Sequence, residues 1–350
     1  MPGAAGLPEC VAVKTVDGER AIRLLRAAGL LDTGFKPARS GGRLMLPVED
    51  AELALEALRS SGLEAWPCRA SFEPRRRPRG LRSLGFEGLS GYSLVGDIAV
   101  FSRREGGPGV EEYRRAAEAL MREQPRVRAV YLKEATVGEL RVQRLVHLAG
   151  EERTWTVHRE FGLEFEVDIA RAYFNPRLAN EHRLVAESVG EGERVLDMFS
   201  GVGGFSIHTA SLRRASVVAS DINPHAALLA ARNARRNRRR LRGRVSVLRA
   251  DAALLPRILQ PVFTTIIMNH PTASHMFAWE ACRLASSGGA RVLFYRLSES
   301  CPQAEEDALQ AFTRAPCCRR VEVRWCRRVL EYSPSAAVYR VEVAVEPGRL

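Results

Sequence analysis

The 350-residue chain predicts an α/β protein whose largest part is a mostly parallel, doubly wound sheet. Three observations predict it. From residue 194 onward, apolar runs of strand length alternate with helical patterns. The stretch RVLDMFSGVGGFS, residues 194–206, has the form strand, glycine turn, helix. Carboxylates stand at the ends of three successive strands, at Asp197, Asp221 and Asp251. In open sheets of this kind, ligands bind beyond the carboxyl ends of the strands, where the strand order reverses.

In order along the chain, residues 1–68 read as a small α/β unit. ECVAVKT is a strand, and GERAIRLLRAAGLL is a helix with Ala21, Leu24, Leu25 and Ala28 on one side. RLMLPV is a second strand. DAELALEALRSSG is a second helix, capped by Asp50 and stopped by Gly62, and LEAWPC closes the unit. Residues 69–87 form a basic linker in which Pro74 and Pro78 interrupt an arginine run and exclude a regular helix. Residues 88–165 are a middle α+β domain. YSLVGDIAVFS reads as a strand, GVEEYRRAAEALMREQ as a helix and VRAVYLKEA as a strand, followed by alternating apolar and polar residues that suit an antiparallel sheet with one wet face.

Residues 166–350 make the largest domain. Asn175 followed by Pro176 predicts a helix start, with the helix running to about Val189. Strands are expected at RVLDMF, SVVASDI, VSVLRA, TTIIMN and ARVLFYRL, with helices from Phe205, from Pro224, after Asp251 and around MFAWEACRLA. The end, CRRVEVRWCRRVLEYSPSAAVYRVEVAVEP, reads as an edge hairpin.

The net charge is +12, and only three of the 53 basic residues are lysines. An excess of positive charge favours a polyanionic partner, most often nucleic acid. No run of about 18 apolar residues suits a membrane span, and no basic-then-apolar stretch suits a secretory signal. A cytoplasmic protein is the expectation. The seven cysteines include no CxxC pair and read as mostly buried thiols. The seven histidines are scattered; no carboxylate or cysteine completes a ligand set with His270 and His275, so no structural zinc is expected.

The glycine turn alone fits a structural turn, a dinucleotide site or a nucleoside site. It is not GxGxxG, no Walker lysine follows it, and it is short and apolar for a pyrophosphate. A carboxylate at the end of the second strand can accept hydrogen bonds from both ribose hydroxyls, and one after the third can meet an adenine amine. Each carboxylate alone also serves as a cap or strand terminator. Together they suit a phosphate-free nucleoside such as S-adenosylmethionine, with Asp197, Phe199, Gly201, Gly203, Asp221, Ile222, Asp251, Ala252 and Asn269 as the expected cofactor contacts. The carboxamide in the turn Asn269-His270-Pro271 can orient a purine edge. Arg177 and Glu181 stand four apart, either as a surface ion pair or as a base and its orienting cation. The basic stretch ARRNRRRLRGR at 234–244 is a solvated face or a contact for an RNA backbone.

The ordered combination GDIAVF, LRVQRLVHLAGEERTWTVHREFG, YFNPRLANEHR, DMFSGVGGFSI, SDINPHA and MNHPTASHMF resembles the archaeal and eukaryotic tRNA (guanine-37, N1) methyltransferase family. The resemblance is strong over about residues 93–300 and looser over the N-terminal unit. It implies a Rossmann-like class I methyltransferase domain with two smaller N-terminal α/β domains, the first docking on tRNA and the middle one contributing to the active site. It implies S-adenosyl-L-methionine as cofactor, tRNA as partner, no metal and a monomer. Residue by residue, it implies Glu181 as general base, Arg177 and Tyr173 beside it, Arg141 of the GxxR stretch stabilising charge on guanine O6, and Asn269 in the Asn-x-Pro turn. Two departures stand out: SGVGGF where the family has AGVGPF, and His270 where the family has leucine. A wyosine-pathway transferase on the same nucleotide, adding a methyl at C7 of the tricyclic precursor or an aminocarboxypropyl group, is the alternative.

Overall fold

The computed structural model describes residues 8–74, 80–89, 91–103, 106–138, 142–333 and 335–348. The chain divides into two compact units, Met1–Arg79 and Gly80–Leu350. Of the basic linker, residues 75–79 lie outside the described residues.

The first unit holds β1 (Glu9–Lys14), α1 (Gly18–Ala27), β2 (Ala38–Ser40), β3 (Arg43–Val48), α2 (Ala51–Ser60) and β4 (Ala65–Cys68). The strands form one antiparallel sheet in the order β2-β3-β1-β4. Val11, Val13, Leu46, Leu25 and Leu58 are buried between sheet and helices. Asp50 caps α2, its carboxylate accepting from the Leu53 amide at 2.9 Å. Gly62 ends the helix with φ +75°, a conformation glycine adopts without strain. Ala28, expected on the buried stripe, lies past the end of α1 and is exposed.

The second unit begins with β5 (Tyr92–Val95), β6 (Ile98–Ser102), α3 (Val110–Glu123), β7 (Ala129–Val137), β8 (Val142–Gly150), β9 (Trp155–Glu160) and β10 (Leu163–Asp168). The stretch expected as one strand at 92–102 is a hairpin instead. Gly96 has φ +58°, so the chain reverses over Gly96-Asp97 and β5 pairs antiparallel with β6. The helix α3 then carries the chain over to β7, parallel to β6.

Next come α4 (Ala179–Ser188), β11 (Arg194–Asp197), α5 (Gly204–Leu212), β12 (Ser216–Asp221), α6 (Pro224–Arg236), β13 (Arg244–Arg249), α7 (Leu255–Ile258), β14 (Thr265–Met268), α8 (Ala278–Leu284), β15 (Ala290–Ser298), α9 (Cys301–Thr313), β16 (Cys318–Ser333) and β17 (Ala336–Pro347). The sheet runs β13-β12-β11-β14-β15-β17-β16, parallel through β15 and antiparallel at the closing hairpin. Alternate residues face opposite layers, as a strand period of two requires. Leu196, Ile266, Met268, Val292 and Phe294 pack with α8 and α9. Val195, Ile267, Leu293 and Tyr295 pack with α4 and α5. Helix α9 was not expected from the sequence. Its buried stripe is Ala304, Ala308 and Phe312, too sparse in large apolar residues to register.

Phe165 and Val167 of β10 share one core with Phe174, Val202, Ile207 and Leu229, so residues 88–165 and 166–350 pack as one body. Two asparagines, Asn233 of α6 and Asn237 at its C-terminal cap, complete the junction. The Asn233 carboxamide accepts from the Glu166 amide at 2.6 Å and donates to its carbonyl at 3.0 Å. Asn237 does the same for Glu164. These bonds satisfy the free edge of β10.

The cysteine expectation needs correction. Six of the seven are paired, Cys10 with Cys68, Cys282 with Cys318 and Cys301 with Cys326, and Cys317 alone is a buried thiol. The partners lie 25 to 58 residues apart, so spacing carried no sign of them.

Candidate functional site

The sheet order reverses at β11, whose neighbours are β12 and β14. A cleft opens at that point. The turn after β11 is built on two positive-φ glycines, Gly201 at +54° and Gly203 at +92°. The Gly201 amide donates to Asp221 Oδ2 at 2.8 Å, and the Asn223 amide donates to Asp221 Oδ1 at 2.9 Å. Asp221 thus fixes the turn to the end of β12. Burial pushes its carboxyl above the ordinary value, against the pull of these two amides.

A cavity of about 390 Å³ occupies the cleft. Seven expected cofactor contacts line it: Phe199, Gly201, Asp221, Ile222, Asp251, Ala252 and Asn269. Tyr173, Leu178, His270, Leu330 and Val338 line it as well. Asp251 also accepts from the Ala253 amide at 2.9 Å, so it caps the following turn while facing the cavity. The turn after β14 is pinned by one hydroxyl: Ser274 Oγ donates to the Met268 carbonyl at 2.7 Å and accepts from the His270 amide at 3.1 Å. The His270 ring meets Phe199 edge to face, centroids 5.3 Å apart.

Two expected contacts do not line the cavity. Asp197 is fully buried behind the turn and accepts from Ser206 Oγ at 2.7 Å. Burial pushes its carboxyl up to about 7, against the Ser206 hydrogen bond. Its place at the strand end anchors the start of α5. Gly203 is the N-cap of α5, and its open side faces Ile207 and Ala230.

Glu181 is 4% exposed, in the first turn of α4, and is not among the cavity-lining residues. Its Oε1 accepts from Tyr295 Oη at 2.8 Å and from Arg340 Nη1 at 2.6 Å. Its Oε2 has no hydrogen-bond partner and lies 3.8 Å from Arg327 Nη2. The cation orienting Glu181 is therefore Arg340, not Arg177. The reason is local: 176–178 form a 3-10 turn capped by Asn175, so α-helical i,i+4 spacing does not hold across 177–181. Arg177 is exposed. Sequence reasoning missed Arg340 because it sits in an alternating strand, where a charged residue reads as the wet face. Arg141 lies outside the described residues.

Sequence reasoning also missed a convergence of histidines. Glu160 Oε2 lies 2.9 Å from His182 Nδ1 and 3.0 Å from His208 Nε2. The expectation that no carboxylate joins a histidine pair concerned His270 and His275; the histidines that do meet are 26 residues apart in sequence. The departure at position 204 is explained here. A Cβ on Gly204 would stand 2.5 Å from His182 Cε1, so the imidazole occupies the space a larger residue would fill.

Residues 156–323 match the model of the TRM5/TYW2 methyltransferase domain, and residues 10–54 match the tRNA methyltransferase 5 N-terminal domain. The chain is 33% identical over 288 residues to the tRNA (guanine(37)-N(1))-methyltransferase Trm5b of Pyrococcus abyssi, covering 80% of this chain and 81% of the relative. It is 28% identical over 353 residues to Trm5b of Methanocaldococcus jannaschii, covering 97% and 99%. Among solved structures, the complex of aTrm5 with tRNALeu is similar with a TM-score of 0.66 at 26% identity, covering 97% of this chain and 100% of the other. With shared sequence and shared fold, the chain belongs to the archaeal and eukaryotic tRNA (guanine-37, N1) methyltransferase family.

Proposed function

We propose that this protein methylates N1 of guanosine 37, the nucleotide 3′ to the anticodon of tRNA, using S-adenosylmethionine. The observation that carries the reading is the cavity: a largely apolar space with carboxylates at two strand ends, Asp221 and Asp251, and an Asn-x-Pro turn at its side. These residues fit an adenosyl group. Asp221 suits the ribose hydroxyls, Asp251 the adenine amine, and Gly201 allows close backbone approach. When bound, S-adenosylmethionine supplies an electrophilic methyl on a sulfonium.

Guanine N1 carries a proton and is a poor nucleophile. Glu181 takes that proton through its unpartnered Oε2, while Tyr295 and Arg340 hold Oε1. Leu178, Leu330 and Val338 form part of the cavity wall. Negative charge then develops on O6, which Arg141 stabilises. Asn269 orients the purine edge, and Tyr173 lies against the reacting groups. The transfer is a direct displacement and needs no metal, so positioning supplies much of the rate. Arg177, exposed before α4, and the arginine cleft formed by Arg232, Arg235, Arg236, Arg238 and Arg239 suit the RNA backbone. Residues 1–68 dock on the body of the tRNA. The reading includes a monomeric, cytoplasmic enzyme.

The wyosine-pathway alternative is weaker. The tRNA 4-demethylwyosine(37)-methyltransferase Taw21 of Saccharolobus solfataricus is 35% identical, but over 139 residues and 51% of its length. One assay separates them. Labelled S-adenosylmethionine and an unmodified tRNA transcript with guanosine at 37 are incubated with the protein, and the nucleosides are analysed. N1-methylguanosine is the expected product; transfer to a tricyclic precursor alone would overturn the assignment.

A further inference from the structure

Apart from the cofactor cleft, one group of ligating side chains is closed off from solvent on every side. Glu160 ends β9, His182 stands in α4 and His208 in α5, and they are 2%, 5% and 1% exposed. We propose that these three residues form a binding site for one divalent ion of the zinc class, which fastens the middle sheet to the two helices flanking the glycine turn. The inference is independent of the reaction assigned above.

The donor atoms already converge. His182 Nδ1, His208 Nε2 and a Glu160 carboxylate oxygen all lie within 4.8 Å of one another. Both imidazole nitrogens crowd the same oxygen, Oε2, at 2.9 and 3.0 Å. Donors around a tetrahedral zinc stand roughly 3.3 Å apart, given bonds of about 2.0–2.1 Å. The two nitrogen–oxygen distances therefore need to open by only a few tenths of an ångström.

The second carboxylate oxygen supplies an independent observation. Glu160 Oε1 is buried and has no hydrogen-bond partner. A bidentate carboxylate would make it the fourth donor, completing two nitrogens and two oxygens around one ion. His158 does not compete for this role. Its Nδ1 accepts from the Gly96 amide at 3.1 Å, which leaves the proton on Nε2, 3.9 Å from Glu160. It faces the carboxylate from outside, as groups surrounding a metal ligand commonly do.

Charge points the same way. Among the described residues, the ion-pair partners of Glu160 are all histidines, and no arginine or lysine is among them. A buried carboxylate without a fixed cation is costly, and a divalent ion offsets that cost. The imidazoles are also held in place. The His208 ring stacks on Phe165 at 5.8 Å with an interplanar angle of 10°, and Phe205 meets His182 edge-on at 4.6 Å. Two imidazoles and a carboxylate suit zinc and its neighbours better than calcium or magnesium.

The test uses the full chain, made without a histidine tag, stripped with chelator and titrated with Co²⁺ and then Zn²⁺. About one equivalent of Co²⁺ should bind with the intense visible absorption of a four-coordinate site, and without a thiolate charge-transfer band. Zn²⁺ should displace it and raise the melting temperature of the second unit. Glu160→Gln and His208→Gln should each abolish the cobalt spectrum. Absence of stoichiometric binding by the unaltered protein would overturn the proposal, whatever the variants do. So would a thiolate band, which would place the ion on cysteine rather than on the histidines, or a spectrum unchanged in both variants. Any of these results would leave the triad as a proton-shared network.

Discussion

Arg340→Met tests the clamp on Glu181 most directly. Glu181 and Arg340 are both 4% exposed, and their contact is a 2.6 Å charge-assisted bond. In Arg340→Met the carboxylate keeps the Tyr295 hydroxyl but loses its buried counter-ion, with the half-exposed Arg327 at 3.8 Å as the remaining cation. Removing one partner of a buried pair costs about 3–5 kcal/mol, because the other charge stays desolvated. Methionine replaces much of the arginine's volume, so the packing on Trp325, whose ring lies 4.9 Å from the guanidinium, changes little. Glu181→Gln should also destabilise, since the amide accepts the same bonds but leaves Arg340 uncompensated. The double variant buries neither charge, so it should be more stable than the sum of the single losses implies, by about 2 kcal/mol or more. The assay is denaturant unfolding followed by tryptophan fluorescence, with Trp155, Trp279 and Trp325 reporting the second unit. Strict additivity of the two single losses would refute the clamp.

Four further outcomes are expected. Glu181→Gln should cut methyl transfer by about 100-fold or more while leaving S-adenosylmethionine affinity nearly unchanged; loss of cofactor binding, measured calorimetrically, would make Glu181 structural. Asp197 has its folded carboxyl raised to about 7, so its contribution favours folding at low pH and is lost as pH rises from about 4 through 7. Asp197→Asn keeps an acceptor for Ser206 and should gain stability relative to the parent over that window, by at most about 4 kcal/mol; parallel stability–pH curves for the two proteins would contradict the shift. Gly204→Ala should cost about 1–3 kcal/mol by driving a methyl into the His182 ring, and the loss should shrink in a His182→Ala background, as melting curves can show. Cys301 and Cys326 close a 25-residue separation, so reducing that bridge should cost roughly 3–4 kcal/mol in the chain-entropy model; alkylation of denatured, unreduced protein should modify Cys317 alone, and labelling of all seven cysteines would disprove the pairing.

The parallel strands were legible because they are continuous apolar runs, buried on both faces, with carboxylates at their ends. Most of the cavity lining was legible because a turn, a strand end and a cap recur at fixed offsets. What stayed hidden depends on distances the sequence does not carry. Arg340 looked like an outward-facing residue of a hairpin, yet β17 lies inside the sheet, between β15 and β16, with both faces covered. Glu160 and His208 are 48 residues apart and meet only because β9 packs against α5. The hairpin at Gly96-Asp97 was read through because its two-residue turn barely interrupts the apolar run. Asp197 and Asp221 share the same position in the pattern, yet one is sealed behind the turn and the other faces the cavity.

That difference has a thermodynamic consequence at Asp221. A carboxylate offers about four acceptor positions. The Gly201 and Asn223 amides occupy one on each oxygen, which leaves one on each for a vicinal diol. Because both oxygens are already tethered, the side chain cannot rotate about its terminal bond, and that freedom was surrendered when the domain folded. In the proposed reading, a ribose entering the cleft would meet an acceptor pair already set at its working angle. The entropy that a floppy side chain would lose on ligand capture has been withdrawn from the binding step and moved into folding, where the whole sheet shares it.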